Sequence, residues 1–133
     1  MAATFDYDTA FSRNIGWLTR EEQRTLRHKC VAIAGLGGVG GRHLLTLTRL
    51  GIGRFSIADP DTFDVANFNR QLGADMNSVG RPKLEVMSEL ALAVNPELEL
   101  RRYAEGVNDD NLAAFLDGVD LYVDGLDFFV IEM

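Results

Sequence analysis

Cysteine occurs once in the 133 residues, at Cys30, and proline three times. A single cysteine excludes a disulfide within the chain, and without a Cys-x-x-Cys pair there is no thiolate set for zinc. Cys30 opens an apolar run and reads as a small core residue rather than a nucleophile. Positive charge is also short: 13 Lys and Arg stand against 20 Asp and Glu, a net charge of −7. A general nucleic-acid surface needs the opposite balance, so nucleic acid is not an expected partner and any phosphate site must be local. Neither a long apolar span nor a signal-peptide pattern is present, which leads to the expectation of a soluble, cytoplasmic protein without membrane partners. What the chain does have is 47% hydrophobic residues, enough for one domain's core.

The uncharged run Cys30-Val31-Ala32-Ile33-Ala34 suits a strand buried on both faces, and Gly35, Gly37 and Gly40 after it have Gly-x-Gly-x-x-Gly spacing. Such glycines allow a tight turn, a close approach of backbone to phosphate, and tight packing of the following helix. The N-terminus of that helix favours an anion through its unpaired N–H groups and dipole. A plain glycine-rich turn has the same pattern, so the rest of the chain must decide.

Phe5, Tyr7, Phe11 and Arg13 give the first fifteen residues more aromatic content than a solvated tail needs. Thr19 and Glu22 have capping-box spacing and predict a helix from Arg20 to about Lys29. A helix after the glycine turn ends at Gly51, and Arg54 to Ala58 predicts a second strand. Asp59 follows it, 19 positions after Gly40, where dinucleotide-binding folds place an acid for ribose hydroxyls. A long polar connection, Pro60 to Arg81, carries Asp61, Asp64, Asn67, Asn69, Arg70 and Gln71. Pro82 at a first helical position starts a helix that Asn95-Pro96 stops, with Lys83 in its first turn. Leu98 and Leu100 mark a third strand, Asn108 caps a short helix through Leu116, and Asp120 to Asp124 forms a fourth strand. Phe128 to Met133 read as the start of another helix.

This alternation predicts an α/β fold with a mostly parallel sheet and helices on both faces. Ligands bind such sheets at the carboxyl ends of the strands, where Gly35, Asp59, Asp124 and Asp127 all fall. A dinucleotide oxidoreductase explains the glycines and Asp59 but leaves Arg70 and Lys83 without a task. A nucleoside triphosphate site uses both cations, with Asp127, or alternatively Asp124, holding a metal. A non-catalytic interaction module on the same fold is the third reading.

Gly35-Leu36-Gly37-Gly38-Val39-Gly40, Asp59-Pro60-Asp61, Asn67-Phe68-Asn69-Arg70-Gln71, Gly80-Arg81-Pro82-Lys83 and Asp124-Gly125-Leu126-Asp127 together resemble the ThiF/MoeB adenylyltransferases, relatives of the ubiquitin-activating enzymes. The resemblance implies a Rossmann-like three-layer domain. It also implies use of Mg-ATP to adenylate the C-terminal carboxylate of a ubiquitin-like or sulfur-carrier protein, with release of pyrophosphate. By motif, Gly35, Gly37, Gly38 and Gly40 would line the nucleotide, with Asp59 on the ribose and Asp61 beside it. Asn67, Arg70, Gln71 and Lys83 would meet the phosphates, and Asp127 would bind or position Mg2+. Arg13 resembles an arginine that reaches across a homodimer into the partner's ATP site. Phe11, Asn14 and Phe128 stand where sulfur-carrier-type members have Tyr, Gln and Asn, which points to an outlying branch. Residues 1–29 are expected to form an N-terminal segment and helix, and residues 30–133 the N-terminal half of the nucleotide-binding domain. The sheet is thus expected to be cut after its fourth strand, with little activity alone and a tendency to self-associate.

Overall fold

The computed structural model describes residues 3–126. The chain runs through α1 (Tyr7–Ala10), a 3-10 turn at Ser12–Asn14, α2 (Arg20–His28), β1 (Cys30–Ala34), α3 (Gly40–Leu50) and β2 (Arg54–Ala58). It continues through a second 3-10 turn at Val65–Asn67, α4 (Lys83–Val94), β3 (Glu99–Tyr103), α5 (Leu112–Phe115) and β4 (Leu121–Asp124). The four strands form one parallel sheet in the order β3-β2-β1-β4.

Strand β1 is buried along its whole length, as its uncharged sequence requires, and it sits between β2 and β4. Its odd and even residues face two different layers. Val31 and Ile33 join Phe55, Ile57, Leu44, Leu84, Met87 and Ala91 in the larger core, beneath α3 and α4. Ala32, Ala34 and Ala58 face the other way against Phe115 of α5. Both faces carry helix, so the arrangement is the expected three-layer one, although four residues of α5 cover far less of the second face than α3 and α4 cover of the first.

The aromatic N-terminus is tied down. Tyr7 and Phe11 are buried, and the Tyr7 hydroxyl lies 2.5 Å from the Gly51 carbonyl and 3.0 Å from that of Gln23. Thr19 and Glu22 close the expected capping box at the start of α2. Gly51 stops α3 in the left-handed conformation, at φ 108°.

Three boundaries differ from expectation. Pro82 is extended and stands just outside α4, so Lys83 is the first helical residue. Asn108 does not cap α5; its Oδ1 accepts from the N–H groups of Asp110 and Asn111 in a turn ahead of it, and the helix begins only at Leu112. Strand β4 begins at Leu121, because the Asp120 carboxylate bonds the Cys30 N–H from the side and its own N–H donates to the Cys30 carbonyl. The helix expected from Phe128 lies outside the described residues.

Candidate functional site

The carboxyl ends of β1 and β4 carry glycine-containing turns that interlock. A side chain on Gly40 or Gly125 would collide with the Gly35 carbonyl oxygen, and Gly35 itself has a φ of 85°. Neither contact survives a Cβ, so the turn after β1 and the turn after β4 fit only as glycine.

The long crossover then folds over this turn. A Cβ at Gly37 would lie 3.3 Å from the Gln71 Nε2, and one at Gly38 3.3 Å from the Arg70 Cγ. Gly37, Gly38, Val39, Arg70, Gln71, Asp124, Gly125 and Leu126 line one cavity of about 190 Å³. Gln71 is buried, and its Oε1 has no hydrogen-bond partner among the described residues. An orphaned buried acceptor costs about 1–3 kcal/mol, which folding alone does not reward. Arg70 is exposed; its Nη1 donates to the Ala66 carbonyl at 3.2 Å and to the Asn69 Oδ1 at 2.9 Å, and its Nε and Nη2 have no partner among the described residues.

A second set of bonds fixes the rim behind the cavity. Asp59 is buried; its Oδ2 accepts from the Leu36 N–H at 2.7 Å and its Oδ1 from the Asp61 N–H at 2.8 Å. The Asp61 carbonyl accepts from the Lys83 N–H at 2.9 Å. The glycine turn, the end of β2 and the start of α4 are therefore one hydrogen-bonded unit. A wider cavity of about 400 Å³ opens beside Asp59, walled by Pro60, Pro82, Leu84 and Ala104.

Lys83 is 8% exposed, with its Nζ 5.7 Å from the centre of the Phe63 ring and no side-chain hydrogen bond among the described residues. Burying an ammonium on an aromatic face at the first turn of a helix works against both solvation and the helix dipole, and an anion nearby would offset both.

Not every residue singled out in the sequence is available to a ligand. Asn67 uses its Oδ1 to accept from the Asp64 N–H and so closes the 3-10 turn, while its NH2 group has no partner among the described residues. Arg81 is taken up by Glu85 and Glu89, which hold its guanidinium firmly charged. Arg13 sits beside Asn14, whose side chain bonds the Leu50 carbonyl at the far end of α3 from the glycine turn. Within one chain it is an α3 length away, about 16 Å. Asp127 lies outside the described residues, and among those described no three His, Cys, Asp or Glu cluster as a metal site. Asp124 remains as a cavity carboxylate, its Oδ1 accepting from the Leu126 N–H.

Sequence reasoning missed Phe63, which floors Lys83, and Ser78, which is buried and donates to the Gly73 carbonyl at 2.5 Å to pin the crossover. An aromatic in a polar loop was the available signal for the first, shared with Phe68.

Compared with known families, residues 11–133 match the ThiF family. Among curated proteins, the chain is 36% identical to the tRNA threonylcarbamoyladenosine dehydratase of Bacillus subtilis, over 88% of this chain and 46% of that protein. It is 32% identical to the sulfur carrier protein adenylyltransferase of Thermus thermophilus, over 82% of this chain and 40% of that protein. Among solved structures, the E. coli tRNA N6-threonylcarbamoyladenosine dehydratase TcdA in complex with ATP superposes with a TM-score of 0.88 at 28% identity, covering 96% of this chain and 53% of that one. The chain thus spans about half the length of the curated relatives it matches.

Proposed function

Since this chain belongs to the ThiF family, we propose that it carries the ATP-binding part of an enzyme that activates a carboxylate as its acyl-adenylate. The observation that carries the reading is the cavity itself, where glycine-turn backbone, Arg70 and the orphaned Gln71 side chain converge at the rim of the sheet. A phosphate chain there would meet backbone N–H groups at the α3 N-terminus and the Arg70 donors not used by Ala66 and Asn69. The wider cavity beside Asp59 suits the nucleoside end, with Asp59 near the ribose.

In the reaction, a carboxylate oxygen of the acceptor bonds to the α-phosphorus and the bond to pyrophosphate breaks. Two anions must approach, so positive charge has to stand where the leaving group gathers it. Arg70, which lines the cavity, and Lys83, at the start of α4 over the Phe63 ring, are the cations assigned to that role. Magnesium, when bound, supplies further charge neutralisation, carried by phosphate oxygens and water with Asp124 or Asp127 as its carboxylate. Arg13 would serve the cavity of a second copy in a homodimer.

The relatives suggest two acceptors. One is the C-terminus of a ubiquitin-like or sulfur-carrier protein. The other is the threonine carboxylate of a modified tRNA nucleoside, favoured by the higher identity to the dehydratases and by the departures at Phe11 and Asn14. An NAD-dependent oxidoreductase finds no support in the family match.

Isothermal titration with ATP, with and without Mg2+, and with NAD as a control, tests the reading. Magnesium-dependent ATP binding that is lost in Arg70→Ala/Lys83→Ala is expected. ATP binding unchanged in that double variant, or NAD binding in place of ATP, would overturn it.

A further inference from the structure

Arg81 and Lys83, on either side of Pro82 at the start of α4, are held in opposite ways. Arg81 is clamped by the Glu85 and Glu89 carboxylates, which answer its charge. Lys83 has neither an ion pair nor a side-chain hydrogen bond among the described residues, and its Nζ lies 5.7 Å from the centre of the Phe63 ring. Phe63 is itself fixed by backbone and by packing. Its N–H donates to the Arg81 carbonyl at 3.0 Å, and its carbonyl accepts from the Gly80 N–H at 2.9 Å. With the bond from the Lys83 N–H to the Asp61 carbonyl, these tie residues 61–63 to residues 80–83 as two short antiparallel segments. The ring is 2% exposed and belongs to the larger core. A Cβ at Gly73 would fall 2.7 Å from its Cζ and 2.6 Å from the Met87 Sδ, so the crossover runs against the ring edge two residues after Gln71.

We propose that Phe63 is a positioning residue for the phosphate end of the nucleotide: its ring face seats the Lys83 ammonium, and its edge seats, at Gly73, the crossover that carries Arg70 and Gln71. A carboxylate in its place would neutralise the ammonium and occupy its donors. An aromatic face attracts a cation through its quadrupole without bringing a full opposite charge. The charge and all three ammonium donors are thereby left for phosphate oxygens. A leucine at this position would fill the core and leave the flexible stem of Lys83 without an electrostatic seat. Phe63 touches no part of the nucleotide in this scheme and acts through Lys83. The inference rests on the ATP reading for its ligand, while the seating of Lys83 on the ring is independent of it.

The test has a spectroscopic arm and a binding arm, both on the full chain. Lys29 and Lys83 are its only lysines, so isotope-labelled lysine gives two sets of ε-methylene signals, assigned by Lys29→Arg. The ring current of Phe63 should move the Lys83 ε-protons upfield of those of Lys29, and Phe63→Leu should remove most of the difference. In titrations, Phe63→Leu should weaken ATP binding by roughly threefold to tenfold and leave AMP, which lacks the pyrophosphate end, nearly unaffected. In a Lys83→Met background the same substitution should change ATP affinity no further. Phe63→pentafluorophenylalanine keeps the bulk of the ring but reverses the charge on its face. It should weaken ATP binding as Phe63→Leu does, with little change in melting temperature, and it carries the test if Phe63→Leu does not fold. The proposal is overturned if the Lys83 signals ignore Phe63→Leu or if the fluorinated ring binds ATP like the wild type. It is also overturned if Phe63→Leu weakens ATP and AMP equally, with Lys83 present or replaced, which is the mark of a purely structural residue. A wild-type chain that binds neither ATP nor inorganic tripolyphosphate overturns the ATP reading instead, and this role with it, whatever the lysine signals do.

Discussion

Asp59 and Gln71 are both buried polar residues at the rim, and they answer to different needs. Asp59 satisfies two backbone N–H groups, so Asp59→Asn removes the charge from both bonds and turns an NH2 group toward one donor. We expect a loss of roughly 1–3 kcal/mol in urea unfolding, with weaker ATP binding as a secondary effect. Gln71 leaves its Oε1 unpaired, so an apolar replacement of similar shape removes nothing the fold uses. Gln71→Met should therefore unfold close to wild type while ATP affinity falls several-fold; a large loss of stability would mean the side chain is structural. Cys30 behaves as the core residue its position suggests, since burial pushes its thiol above the ordinary range. Iodoacetamide at pH 8 should leave it unmodified in the native chain and alkylate it in urea. Of these three, only Cys30 was legible in full from sequence. Asp59 could be placed at a strand end by its distance from the glycines, but its bonds to Leu36 and Asp61 depend on a turn that spacing does not describe. Gln71 faces Gly37 only because the crossover doubles back, and that path has no periodicity to read.

The elements with strong local signals came out where the residues put them. The bounds of β1 and β2 follow from uncharged or alternating runs, the first stopped by Gly35 and the second started after Gly53, and α2 from its capping box. Thr19→Ala should cost about 1 kcal/mol of stability and leave ATP titration unchanged, because the cap lies at the other end of the sheet from the cavity. Gly51→Ala should cost more: its φ of 108° disfavours any Cβ, and a methyl there would fall on the Gln23 amide. Circular dichroism melts of the two variants side by side would check the order, and a Gly51→Ala melt no lower than that of Thr19→Ala would contradict it. The short α5 was harder to place. Its cap residue is pre-empted by a tighter turn at Asn108, a competition between two local hydrogen-bond patterns that the sequence permits equally.

Across the whole molecule, the N-terminal segment acts as a latch on the far end of the sheet. The buried Tyr7 hydroxyl bonds α2 and the end of α3 together, and burial raises its ionisation above the ordinary tyrosine range. A raised folded value means the neutral phenol is favoured by folding. Its contribution is fully present below the unfolded value near pH 10 and is lost as pH rises through the folded one. Stability should thus hold to about pH 10 and then decline. Tyr7→Phe should be less stable at neutral pH yet show a shallower alkaline decline, and equal slopes in both proteins would remove Tyr7 as the cause. Tyr122 and Cys30 are shifted the same way by burial and contribute to the remaining slope.

The interlocked turns at Gly35, Gly40 and Gly125 also bear on how the chain acquires its fold. They join segments about ninety positions apart in sequence, so the cavity cannot exist until β4 has docked on β1. Closing a loop of that length comes late and slowly in a parallel sheet. A ligand of the cavity would then bind only the finished state, and at a hundred times its dissociation constant it would deepen that state by about 2.7 kcal/mol. Nucleotide would act during folding as a clamp on the last step, slowing the release of β4 rather than speeding its arrival.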